Sequence, residues 1–568
     1  MRSLVLRSGT TGSRDSGHGG LITAVVVLML GVLVVFPMVF VVLQAIFPSI
    51  GTGSLAGPFS RVSETFGDPE LIRWTLNTLA LGICVVLATC LVALPLGVLR
   101  GLFRVPLAGL WDVAFLVPFT IPPYIAALGW IMTLQRNGYL EQLLGFNLGR
   151  FLFSFWGVVF VMTLNVFPVV YFGVSRSMAS IGGRYVDAAR VSGASFWPMF
   201  RRIAVPLVTP ALAGSLLLVF AMSIEEFGTP AVLAARSGFL VLVTGVEQRL
   251  ADYPIDLPGA AALSLILVAL AGFAFMTQQR VVSGRDFRTM TGRPAAGVLR
   301  PLGRWAIPCT VPFALLAFLA TVVPVAAVLL TATTRTISGG LVPGNFSLFH
   351  FAEIWANSNG AFDALVTSFL LGIGTALLTG LIGTLAAFVL VRERARAGRL
   401  LDFLTVLPNT MPGVVIAVGL ILAWAQPWLP LTAYNTVWIL LLGYCCLLLP
   451  YPVRYATAAL RQLGPSLEEA ARVSGAGPTR ALARIVVPLI LPSVTAAMLL
   501  VFAVAARELV ATVLLAPVGT KTVALFIWRQ FDQGAIGLGM AMSAIAILIT
   551  VTVPALAMLW LRRTGQGM

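Results

Sequence analysis

Asp187-Ala-Ala-Arg-Val-Ser-Gly-Ala194 is followed 282 residues later by Glu469-Ala-Ala-Arg-Val-Ser-Gly-Ala476. The same offset maps Pro206 onto Pro488, Pro210 onto Pro492 and Glu226 onto Glu508. Upstream, an offset of 290 maps Asp112 onto Asp402, Pro118 onto Pro408 and Pro122 onto Pro412. Self-similarity at fixed spacing marks an internal repeat, and the change of offset puts a shorter connection in the second copy, between its third and fourth helices. Around both copies the chain is apolar: 59% of its 568 residues are hydrophobic, 10% are charged, and mean hydropathy is +0.97. Apolar runs near 21–47, 73–99, 108–134, 152–176, 206–227 and 258–280 are followed by six more near 305–332, 364–391, 402–425, 436–456, 488–515 and 538–561. Each approaches the roughly 20 residues that a helix needs to cross a bilayer. The reading is an all-α polytopic membrane protein with about 12 transmembrane helices in two homologous six-helix halves, residues 1–290 and 291–568. They meet in the Arg- and Gly-rich linker 280–304. Six crossings separate equivalent positions, so the repeats are parallel, which points to a solute path between halves related by an axis along the membrane normal.

Charge sets the orientation. Most of the 37 Lys/Arg residues fall in the N-terminal segment, in the loops around 100–104, 176–202, 280–304, 392–399 and 454–484, and at the C-terminus. All of these share one side if both termini are cytoplasmic, as the positive-inside rule requires. A net charge of +16 spread in this way is not a nucleic-acid patch. The first apolar run has Arg2, Arg7 and Arg14 before it but no small-residue cleavage pattern, so it reads as a retained helix. The five cysteines, Cys84, Cys90, Cys309, Cys445 and Cys446, lie in apolar segments without a C-x-x-C pair. Trp111, Trp130, Trp305, Trp428 and Trp560, near helix ends, read as interfacial anchors. The only lysine, Lys521, is not in a phosphate-binding loop, and two histidines, His18 and His350, cannot build an H-E-x-x-H helix. No catalytic residue, resident metal or bound cofactor is expected.

The repeated segment falls in an inner loop of each half, near 185–203 and near 467–485. Ala188, Ala189, Val191 and Ala194, and again Ala470, Ala471, Val473 and Ala476, give a short helix a small apolar face, with Arg190 and its neighbours opposite. One copy alone reads equally well as an interfacial helix resting on lipid. Two copies at matching positions favour docking onto a two-fold cytoplasmic partner. The spacing runs Asp187, Ala188, Ala189, Gly193, Ile203, Val205, Pro206 and Glu469, Ala470, Ala471, Gly475, Ile485, Val487, Pro488. It resembles the EAA loop, or coupling helix, of ABC importer permeases, and the fused two-half form resembles ferric iron permeases. Asp replaces Glu in the first copy and Val replaces the usual Leu before Pro in both. The resemblance implies a permease subunit in a bacterial inner membrane, served by two copies of a cytoplasmic ABC ATPase that hold ATP and Mg. It also implies a periplasmic or extracellular solute-binding protein, and lipid around the bundle. Asp187, Ala188, Ala189, Gly193, Glu469, Ala470, Ala471 and Gly475 would carry the ATPase coupling.

Glu225 and Glu226, and Arg507 and Glu508 at the matching place, are ionisable groups at the end of membrane helices, where such groups are costly and often functional. Counting about 1.5 Å per residue from Pro206 puts Glu226 roughly 30 Å along, near the outer surface, as part of a substrate path or outer gate. Pro118, Pro122, Pro168, Pro408, Pro412 and Pro450 are candidate helix kinks. Glu226-Phe-Gly-Thr-Pro230 resembles segments of fused ferric iron permeases, with thiamine, sulfate and aminophosphonate relatives as alternatives. A different class, an ion-coupled secondary transporter, would need a mid-membrane acidic or histidine relay, of which the chain has little.

Overall fold

The structure is a computed structural model that describes residues 16–60, 67–181, 196–234, 237–283, 299–392, 398–464, 466–475 and 477–563. Among these the chain is helical apart from short bridges such as the two-residue parallel ladder that pairs Phe103 with Arg300 and Arg104 with Pro301. Among the described residues, nine continuous helices are long and apolar enough to cross a membrane: Ile22–Ile46, Pro69–Leu102, Phe155–Ala179, Val205–Glu225, Leu257–Val281, Gly303–Thr333, Ala361–Val391, Leu482–Ala505 and Ile536–Val553. Three more pass only as bent pairs: Ala108–Thr120 with Pro123–Leu144 at 99°, Leu400–Thr410 with Gly413–Trp424 at 111°, and Val437–Leu448 with Pro450–Gln462 at 43°. The third and ninth helices, expected over 108–134 and 402–425 with candidate kinks at their prolines, are sharply broken. The run expected over 488–515 also stops at Ala505.

The prolines explain the breaks. Proline lacks an N–H and drives the residue before it out of the helical region. Ile121 and Pro122 are extended (ψ 131° and 133°), as are Met411 and Pro412 (ψ 121° and 142°), so two successive residues leave the helix at equivalent places. Pro118 stays inside Ala108–Thr120, Pro168 inside Phe155–Ile181, and Pro408 lies in the last 3-10 turn before its break. Pro450 opens the helix after the 43° bend, where Pro452 removes a second donor that the Pro168 region keeps. Four π turns, Gly31–Val35, Phe200–Ala204, Phe318–Val322 and Leu482–Val486, each end two residues before a proline: Pro37, Pro206, Pro324 and Pro488. There the wider turn accommodates the donor that proline withholds.

The two halves exchange their first helices. Phe36–Ile46 lies along Gly413–Trp424 of the second half, and Val323–Thr333 lies along Pro123–Leu134 of the first. A Cβ on Gly129 would come 2.8 Å from the Pro324 carbonyl oxygen, and one on Gly419 would come 2.8 Å from that of Pro37. These glycines, 290 apart, are where the exchanged backbones touch. Phe115 stacks on Phe313 at 5.9 Å, Phe36 meets Trp424 edge-on at 5.9 Å, and Tyr139 and Thr331 share a hydrogen bond of 2.7 Å. The sequence halves 1–290 and 291–568 are thus intertwined in space. Trp130, expected at an interface, is buried against Phe160 because the bend at Pro122 turns its helix into the core.

Arg100 forms a two-pronged pair with Asp112 (Nη2 to Oδ2 2.7 Å), and the Tyr171 hydroxyl donates to the same carboxylate at 2.7 Å. This ties three helices at the end of the bundle that carries the repeated motif. The equivalent Asp402 has Leu390 in place of Arg100. It borders instead a cavity of about 420 Å³ shared with Arg454 and Arg461.

Gly129→Leu should force the Pro324 backbone away and cost about 1–3 kcal/mol, as overpacking does in tight cores. Thermal unfolding of the purified protein should fall accordingly, while Gly109→Ala, whose added methyl meets nothing within 4 Å, should be close to neutral.

Candidate functional site

Of the two repeated motifs, Asp187, Ala188, Ala189 and Gly193 lie outside the described residues. The second motif forms the helix Ser466–Val473, which carries Glu469, Ala470 and Ala471. Ala471 is buried, and the helix packs on Pro478–Ala481 and the π turn that follows it. Ala470 and Ser474 are exposed, and Val473 is 90% exposed. Gly475 ends the helix with φ +82°, the left-handed conformation of a helix C-terminus, while the Ser474 N–H donates to the Ala470 carbonyl at 3.1 Å. A Cβ at Gly475 would meet nothing within 4 Å. The glycine is thus required by the backbone angle and not by crowding within the chain.

The four charged residues lie deep in the bundle. Glu225 borders a cavity of about 330 Å³ with Ala271 and Phe275, which sit between half-way and two-thirds along Leu257–Ser283. The segment after Glu226 turns back into the protein: Leu233, Leu242 and Val246 are fully buried, and Tyr253, 97% exposed, marks the far surface. The short helices Gly228–Leu233 and Leu242–Ala251 follow Glu226 and fold back over it.

Glu226 and Glu508 do the same local work. Glu226 Oε1 accepts from the Thr229 N–H at 3.1 Å, and Glu508 Oε1 accepts from the Val510 and Ala511 N–H groups at 3.1 and 3.3 Å. Each carboxylate thus satisfies free donors at the start of the short helix after the break. Each break also rests on the proline break of its own half. A Cβ on Gly228 would lie 2.8 Å from Tyr124 Cβ, and one on Gly413 would lie 3.5 Å from Val510.

Arg507 and Glu225 occupy equivalent places with opposite charge, and their surroundings differ. The Arg507 guanidinium donates across the halves to the Thr120 carbonyl, the last residue of Ala108–Thr120. A cation there meets the negative end of a helix dipole and a carbonyl freed by the break. Glu225 faces the matching break of the other half. Its cavity is lined by Asn409 from the last turn of Leu400–Thr410, by Tyr451 and Arg454, and by Gln278 and Gln279. Among the described residues neither Glu225 nor Arg454 makes a hydrogen bond or ion pair, and Asn409 Nδ2 and the Tyr124 hydroxyl are buried without a partner. Sequence reasoning named Glu225, Glu226, Arg507 and Glu508 but missed Thr120, Tyr124, Asn409, Tyr451 and Arg454. Their only signal was proximity to Pro122, Pro412 and Pro450.

Compared with known proteins, residues 93–285 and again 379–566 match the model of the binding-protein-dependent transport system inner membrane component. The chain is 25% identical over 522 residues to the ferric transport system permease protein FbpB of Actinobacillus pleuropneumoniae, covering 90% of this chain and 74% of the relative. It is 28% identical over 460 residues to the probable ABC transporter permease protein y4fN of Sinorhizobium fredii, covering 78% of each. The putative 2-aminoethylphosphonate transport system permease protein PhnV of Salmonella typhimurium is 29% identical over 245 residues, covering 43% of this chain and 86% of that one.

Gly475→Ala should strain the helix end by roughly 1–2 kcal/mol, the cost of the left-handed region for a residue with a Cβ. Gly475→Asn should be better tolerated. Hydrogen exchange across 466–475 should rise in the alanine variant and stay near wild type in the asparagine variant.

Proposed function

The chain belongs to the family of binding-protein-dependent transport system inner membrane components, and on that premise we propose that it is the fused permease that carries ferric iron inward at the expense of ATP hydrolysed elsewhere. The family is one of transport permeases and not of enzymes. Support for iron comes from the ferric transport permease that aligns with 90% of the chain. Ser466–Val473 and the matching motif around Asp187 are the docking segments for two cytoplasmic ATPase subunits, which hold ATP and Mg. A solute-binding protein delivers cargo at the far end, and both termini are cytoplasmic.

The observation that carries this reading is the direct mechanical line from docking helix to gate. Ser466–Val473 packs on Pro478–Ala481, which runs through the π turn into Val487–Ala505, and that helix ends at Ala506-Arg507-Glu508. Val205–Glu225 repeats the line in the other half. A displacement imposed at the docking end therefore reaches the four helix breaks as a rigid movement. Opening the path requires Arg507 to leave the Thr120 carbonyl, since that contact bridges the halves. Glu226 and Glu508 keep the short helices after the breaks intact while they move.

Vesicles holding this permease with its ATPase partner should take up radiolabelled Fe(III) from its binding protein only with internal ATP, and an uncoupler should not abolish uptake. Uptake that follows a proton gradient without ATP would replace the proposal with an ion-coupled carrier. Uptake of 2-aminoethylphosphonate in place of iron would keep the importer and change its cargo. Arg507→Met should loosen the closed state and raise ATP hydrolysis in the absence of cargo several-fold, while the complex still co-purifies.

A further inference from the structure

Resting on the permease reading above, we infer that the cavity between the halves at Glu225 is a transit site for a solute with a cationic centre, held against Glu225, with Arg454 receiving an oxyanion that accompanies it. Pseudo-symmetry carries the argument. Glu225 and Arg507 are equivalent residues, and Thr410, beside Asn409, is equivalent to Thr120. On one side of the molecule the protein fills the place beside the broken helix with its own cation, Arg507 on the Thr120 carbonyl. On the other side the same place is bordered by a carboxylate, and among the described residues no guanidinium is hydrogen-bonded to the Thr410 carbonyl. Repelled by the negative end of Leu400–Thr410, the Glu225 side chain cannot make the contact that Arg507 makes.

The cavity left there, about 330 Å³, is within the size range of small-molecule sites. Its polar lining comes from both halves: Glu225, Gln278 and Gln279 from the first, Asn409, Tyr451 and Arg454 from the second. Glu225 supplies a carboxylate, and Gln278, Gln279, Asn409 and Tyr451 supply further side-chain oxygens, which suits a hard metal cation or an ammonium group. Arg454 is the one fixed positive charge among the lining residues. It stands in the helix that begins at the Pro450 bend and also borders the second cavity at Asp402 and Arg461, which gives an anion a continuing route beyond Glu225. Among the described residues no group of three His, Cys, Asp or Glu side chains is placed to hold a metal. A single carboxylate binds weakly enough to release, as a site on a conduction path must.

The test uses the purified permease–ATPase complex in lipid nanodiscs. Probes are Fe(III) supplied as its nitrilotriacetate complex, with nitrilotriacetate alone as control, and 2-aminoethylphosphonate, with ethylphosphonate as control. Affinity is read from ligand-induced shifts in thermal unfolding. At least one cation-bearing probe should bind wild type while its cation-free control does not. Glu225→Gln should weaken that binding tenfold or more, and Arg454→Gln should weaken it several-fold. Glu225→Arg, which installs the side chain that the other half uses, should abolish it while the complex still assembles. Equal binding of probe and control, unchanged affinity in Glu225→Gln, or no binding of either probe to wild type would each overturn the inference. Should the glutamate variants fail to assemble, Glu225→Asp and the probe-versus-control comparison on wild type decide alone. ATP-driven uptake that persists unchanged in Glu225→Gln would leave the permease reading standing without this site. Loss of ATP dependence in wild type would instead remove the reading itself.

Discussion

A proline inside an apolar helix withholds one backbone donor, and in a medium without water the carbonyl left behind has to find another partner. Much of this structure answers that constraint. Four π turns re-space the backbone ahead of Pro37, Pro206, Pro324 and Pro488. At Pro122 and Pro412 re-spacing is not enough, because two successive residues are extended, and the helix turns by 99° and 111°. The Thr120 carbonyl, exposed by the first turn, takes the guanidinium of Arg507 from the other half. The breaks thus create a junction where the two halves meet, and Glu226, Arg507 and Glu508 there satisfy broken backbone.

The remainder of the bundle holds that junction in place. Exchange of the first helices, with Pro37 against Gly419 and Pro324 against Gly129, means that neither half can swing without dragging a helix of the other. Motion is therefore concentrated where backbone is already irregular, between the ends of the long helices and the short helices capped by Glu226 and Glu508. Rigid rods joined by a layer of capped breaks lose in few soft contacts a force applied at one end.

The halves are copies that have diverged where charge matters. Arg507 stands for Glu225, and Leu390 stands for Arg100, so among the described residues the lock of Arg100, Asp112 and Tyr171 has no equivalent around Asp402. Both differences leave polar space, at Glu225 and at Asp402, and Arg454 lies between the two cavities. Duplication supplies two equal breaks, and the two copies then differ in the charge placed at each.

By itself the sequence determined the helical class, the repeat, the approximate extent of the apolar crossings and the motif that places the chain among transport permeases. These properties are local or self-referential: hydrophobic length is set by bilayer thickness, and a repeat is visible without knowing where any helix points. It also named Glu225, Glu226, Arg507 and Glu508, because charges are conspicuous in an apolar chain. Only the tertiary structure decided what they do. Counting residues along one helix cannot see the chain fold back above Glu226, nor a bend that brings Thr120 to Arg507 across 387 residues. The reason for Gly475 likewise lies in a φ of +82°, a backbone angle that residue identity permits but does not impose.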